Sequence, residues 1–131
     1  LISGYLTDYE KPKESTFILM DAMLPQMGFE DKYIATARTI INNSFEDQCE
    51  THVDRILHDA RYDYLGRVDF KKQTDKLLRE KTEHGSNIEP REWVKLQEKL
   101  LREHDFRTDT GKLLRSVSIE TQIESLLNSG N

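Results

Sequence analysis

Ile56-Leu57-His58-Asp59-Ala60-Arg61-Tyr62-Asp63-Tyr64-Leu65-Gly66-Arg67-Val68-Asp69-Phe70 is the stretch on which the fold turns. Its first half is helical in spacing. Val53, Ile56, Leu57 and Ala60 follow the i, i+3, i+4, i+7 pattern, which predicts a helix from about Thr51 with those four residues turned inward. Asp59 then lies at the margin of the buried face, and His58 projects toward the other side, near Asp54 and Arg61. Gly66 breaks the pattern and predicts a turn over Tyr64 to Asp69. One histidine, three aspartates, two arginines and two tyrosines fall within these fifteen residues, so the chemistry of the chain is densest here.

Working outward, helices alternate with local stop signals. Upstream, Pro12 suits a first helical turn, and Phe17, Met20 and Leu24 share one face, with Ile18 beside them. Pro25 and Gly28 end that helix. Glu30 and Asp31 suit the start of a second, whose buried stripe is Tyr33, Ile34, Ala37, Ile40 and Ile41, ending at Asn42-Asn43-Ser44. Downstream, Phe70, Thr74, Leu77 and Leu78 mark a helix that stops at His84-Gly85. Pro90 opens the next, with Trp93, Leu96, Leu100, Leu101 and His104 in one stripe. Thr108 to Lys112, with Gly111, breaks the pattern. Ile119, Ile123, Leu126 and Leu127 then form a last helix. No strand-type alternation and no internal repeat are present. The expected fold class is all-α: a compact bundle of six or seven helices in a single domain over residues 1–131.

Composition narrows the function. Charged residues make up 33% and hydrophobic residues 36% of the 131, and the net charge is −5. Without a basic stripe, nucleic acid is not an expected partner. The longest apolar run, Phe17 to Met20, is far too short for a membrane span, and no signal peptide is visible. The single cysteine, Cys49, precludes an internal disulfide and suits a reducing, cytoplasmic setting. The chain begins at Leu1 rather than Met and opens without a helix-start signal, so a fragment with its N-terminal part missing is expected.

His58 and Asp59 could share a divalent metal through imidazole and carboxylate. The same spacing also suits two surface pairs at i, i+4: Arg55 with Asp59 and Asp54 with His58. Gly66 could bring N–H groups and Arg67 near an anion beside Asp63; equally, Arg67 could pair with Asp63 or Asp69 in a plain helix connector. His104-Asp105 closes the Trp93 helix, where a histidine complements the helix dipole, and His52 and His84 have the character of helix-end residues. No Gly-rich phosphate loop, Ser-His-Asp arrangement or Cys-x-x-Cys pair occurs. Glu46, Asp47 and Glu50 flank Cys49 and argue against a catalytic thiol.

The segment from Ile56 to Phe70 resembles the HD-domain superfamily of metal-dependent phosphohydrolases, in one bacterial branch of which it reads roughly Ile-Leu-x-Asp-Ala-Asp-Leu-Asp-x-Leu-Gly-Arg-x-Asp-Phe. Glu92 to Gln97 and Leu101 to Thr108 are similar to that branch's late helix and its exit, and Leu24-Pro25-Gln26-Met27-Gly28-Phe29 is similar to its Leu-Pro-x-x-Gly-aromatic helix end. The resemblance covers nearly the whole chain. It implies a catalytic set of one histidine, a later His-Asp pair and a final aspartate, holding one or two metals that activate water against a phosphate ester. The final aspartate matches Asp59. The His-Asp pair would precede Gly4-Tyr5, where Leu1 and Ile2 stand instead, and a further histidine would fall at Pro12.

The resemblance therefore implies a degenerate member that serves as a regulatory, interaction or ligand-sensing module. It keeps Asp59 as a vestigial metal position, with His58 beside it, and Asp63 and Arg67 as a relic cleft for a small phosphate or nucleotide. No cofactor is expected. The expected partners are other domains of a larger protein or a second copy. The alternative is an active phosphohydrolase using Mn, Fe, Zn or Mg, its remaining ligands lying upstream of Leu1 or supplied by His52 or His58. A third expectation is a helical bundle used only for dimerisation.

Overall fold

A computed structural model describes residues 11–128. Leu1, Ile2, Gly4 and Tyr5 lie outside the described residues. Among those described there are seven α-helices and no strand: α1 (Pro12–Gln26), α2 (Asp31–Phe45), α3 (His52–Arg61), α4 (Phe70–Glu83), α5 (Pro90–Glu103), α6 (Asp109–Leu114) and α7 (Ile119–Leu127). A single 3-10 turn, Asp63–Gly66, follows α3. None of these helices is long and apolar enough to cross a membrane. The chain divides into two compact units, residues 1–57 and 58–131, with the division falling inside α3.

In the first unit α1 packs against α2, with Met20 and Ile34 buried. Pro12 opens α1, and Gly28 closes it in a left-handed conformation: Gly28 N–H donates to the Pro25 carbonyl and Phe29 N–H to the Leu24 carbonyl. Arg38 pairs with Asp21 while its guanidinium covers the Phe17 ring at 4.6 Å. Tyr33, expected inside, is instead 58% exposed.

The expected buried face of α3 is also wrong. Val53 and Ile56 are each 49% exposed, whereas Asp54, His58 and Asp59 are buried. The reason for Asp54 is a reciprocal capping box at the start of the helix. Thr51 N–H donates to Asp54 Oδ2 at 2.8 Å, and Asp54 N–H donates back to Thr51 Oγ1 at 3.2 Å. The Thr51 hydroxyl at 3.0 Å and Asn43 Nδ2 at 3.3 Å are two further donors to the carboxylate. These bonds, led by the Thr51 N–H, outweigh burial and hold the Asp54 carboxyl below its ordinary range. A carboxylate so supplied with donors can occupy the inner face in place of an aliphatic side chain.

The second unit has a core of Leu65, Phe70, Leu101 and Leu126, flanked by Tyr62, Tyr64, Val94, Leu100 and Ile123. Phe70, the first residue of α4, is fully buried. Two buried glutamines tie the elements together. Gln122 of α7 donates to the carbonyls of Leu65 (3.0 Å) and Arg67 (2.8 Å), and Gln97 of α5 accepts from the Tyr64 hydroxyl at 3.1 Å. Burial pushes the Tyr64 phenol up to about 12, so it stays a donor. Leu96, expected in the α5 stripe, is 44% exposed, and Gln97 takes the inward place.

Candidate functional site

The residues singled out at the C-terminal end of α3 form a clasp on α6. Asp59 Oδ1 accepts from Arg107 N–H at 2.7 Å. Its Oδ2 accepts from Thr108 N–H at 2.9 Å and from the Thr108 hydroxyl at 2.6 Å. Thr108 is the N-cap of α6, and its hydroxyl oxygen also accepts from Gly111 N–H at 2.9 Å. The hydroxyl therefore donates to Asp59 and accepts from the helix at once. A relay runs from the α6 backbone through Thr108 to the α3 carboxylate.

The clasp sets a local size limit. A Cβ placed on Gly111 would lie 2.4 Å from Asp59 Oδ2 and 3.0 Å from Thr108 Oγ1. Only hydrogen at that position leaves room for the carboxylate. Burial raises the Asp59 pKa, but the bonds from Arg107 and Thr108 lower it more, so the carboxyl lies below its ordinary value.

Aromatic rings line the same end of the unit. The His58 and His104 rings stack at 5.3 Å, Tyr62 lies about 5 Å from each, and the Phe106 edge meets His104 at 4.4 Å. His104 caps the C-terminus of α5 through its own N–H to Leu100. Burial first, and then the nearby His58, lower its pKa below the ordinary value.

Asp63 and Arg67 belong to a charge network beyond the 3-10 turn. Arg67 grips Asp69 with two bonds, at 2.7 and 3.1 Å, and reaches Asp63 at 3.5 Å. Arg115 pairs with Asp63 from the other side, and Gln73 donates to Asp69 at 2.8 Å. Arg67, then Gln73, hold the Asp69 carboxyl far below its ordinary range. The connector expectation for Arg67 matches this arrangement, with both aspartates engaged rather than one. Gly66 serves a purpose other than the expected backbone freedom. A Cβ there would fall 2.5 Å from Arg115 Cβ and 2.6 Å from the Arg115 carbonyl oxygen, so glycine permits the chain to pass Arg115 at contact distance.

Among the described residues, no group of three or more His, Cys, Asp or Glu side chains is placed to hold a metal ion. The donor set at Asp59 does not fit one either: three hydrogens already point at its two oxygens. Pro12, at a position where the resemblance expects a histidine, is the first residue of α1. Arg107, Thr108, Gly111 and Arg115 are the partners that sequence reasoning missed. The pair Thr108-Asp109, a capping residue followed by an acid, was the available signal for α6. The chain matches no protein-family model, no curated protein and no solved structure.

Proposed function

We propose that this chain is an HD-like helical domain of a bacterial, cytoplasmic protein whose metal-dependent phosphohydrolase chemistry has lapsed. On this reading it works as a regulatory or interaction module, joined to other domains of a longer chain or to a second copy. The observation that carries the proposal is the use of Asp59. By the HD resemblance it is the final metal ligand; here both its oxygens accept hydrogen bonds from the entry to α6. A divalent ion would have to displace those donors and would still need two or more further protein ligands. The Asp63–Arg67–Asp69–Arg115 network neutralises itself. A small phosphate or nucleotide there would compete with two carboxylates, which favours protein contact over ligand sensing at that spot.

The test is metal content together with turnover on the longest natural form of the chain. Protein incubated with Mn, Fe, Zn or Mg is expected to carry no stoichiometric metal and to hydrolyse neither p-nitrophenyl phosphate nor its bis ester. Stoichiometric metal that disappears in a folded Asp59→Asn variant would overturn the proposal. It would favour an active phosphohydrolase that draws further ligands from His52, His58 or residues outside those described.

A further inference from the structure

On another face of the second unit, α4, α5 and α7 bound an open cleft of about 600 Å³. Its wall is largely apolar, with Leu78, Val94, Leu126 and Leu127 prominent. Two polar side chains in that wall are almost completely buried: Thr74, at 0% exposure, and Trp93, at 4%. Among the described residues, neither Thr74 Oγ1 nor Trp93 Nε1 has a hydrogen-bond partner. Buried donors left unmatched are rare in folded proteins and cost stability, so two of them in one cleft wall are informative.

The charges at the rim are unequal. Lys71 is neutralised by Asp75, and Glu98 by Arg102. Arg91 and Lys95 form no ion pair among the described residues; Arg91 stands in the first turn of α5, where the helix dipole is positive, and Lys95 one turn further on. The cleft thus offers an apolar wall with surplus positive charge at its rim, and two unmatched donors lie sealed within that wall.

We propose that this cleft binds a small amphiphilic anion. Its apolar body lies against Leu78, Val94, Leu126 and Leu127. Its anionic head pairs with Arg91 and Lys95 at the rim, and side-chain movement on binding opens the sealed Trp93 Nε1–H and Thr74 hydroxyl to it. The volume is that of a small-molecule site. A partner helix satisfies the cleft less well, because its main-chain acceptors are already spent on its own hydrogen bonds. The proposal does not depend on the HD likeness or on the state of Asp59.

Trp93 is the sole tryptophan of the chain, so its emission reports on the cleft directly. Titration with decanoate below its micelle concentration is expected to shift that emission saturably and to raise the Tm. Decyltrimethylammonium, with the same tail and opposite charge, is expected to bind about tenfold more weakly. The double variant R91E/K95E should not lower the Tm of the free protein, since acids suit the start of α5, and should weaken decanoate binding by about tenfold. Thr74→Val should raise the Tm of the free protein yet weaken decanoate binding severalfold, a split that a purely structural threonine would not produce. Equal affinity for the two amphiphiles, or unchanged decanoate affinity in R91E/K95E, overturns the proposal, as does a shift that never saturates.

Discussion

The Asp59 clasp and the cleft between α4, α5 and α7 treat buried polar atoms in opposite ways. At the clasp every acceptor and donor is matched, and one hydroxyl serves in both capacities. At the cleft two buried polar atoms are unmatched. A saturated polar centre holds the fold together and leaves little for a ligand to gain. An unsaturated one costs stability in the free protein and returns it on binding. The part of this unit that the sequence singled out for chemistry is therefore the part best suited to architecture.

The contrast can be broken by mutation. Asp59→Ala strands three donors near the α6 entry and is expected to cost about 3 kcal/mol in urea unfolding. A cost near zero would mean that the clasp contributes nothing to stability. Gly111→Ala pits two effects against each other. Alanine should gain about 1 kcal/mol of helix propensity within α6, but its Cβ would collide with the Asp59 carboxylate. The collision should win, with a net loss of about 1–2 kcal/mol; a stabilised variant would show that the clasp yields easily. At the cleft the sign reverses: Thr74→Val, already required to weaken ligand binding, should stabilise the free protein by about 1 kcal/mol.

The smallest expected effect is that of pH. His104 titrates below 6.5 in the folded chain, and Asp59 below 3.8. In each case the unfolded chain takes up the proton first, so stability is whole above the ordinary value and falls as pH drops through the folded one. Urea midpoints should stay level above pH 6.5, sag in a first step below it and fall further below 3.8. His104→Gln should remove the first step. Asp59→Asn should shrink the second without abolishing it, because Asp54 and Asp69 are also held below their ordinary value. A midpoint that rises on acidification would contradict the half-buried, desolvated setting of His104.

Much of the fold was legible because its punctuation is local. Pro12, Gly28, Gly85 and Pro90 each act within one turn of themselves, and the helices they bound lie where the sequence places them. The inner face of α3 was misread because hydrophobic periodicity assumes that aliphatic residues win the interior. Asp54 and Asp59 win it instead, each supplied with three donors or more. The partner of Asp54 was readable, since Thr51-His52-Val53-Asp54 is a capping-box pattern. The partners of Asp59 were not, since 48 residues separate it from Arg107 and no local rule links them. The six residues of α6 are too few for periodicity to show. The family resemblance drew attention to Asp59 and said nothing of the clasp.

The shortness of α6 also makes it a conditional element. A helix of six residues does not persist in water, because nucleation costs more than so few turns return. Its capping hydroxyl is held by a carboxylate on a distant helix, so its helicity depends on whether Asp59 is ionised and seated. Secondary structure at residues 109–114 thus becomes a titratable quantity, and amide hydrogen exchange there would read the state of one side chain on α3.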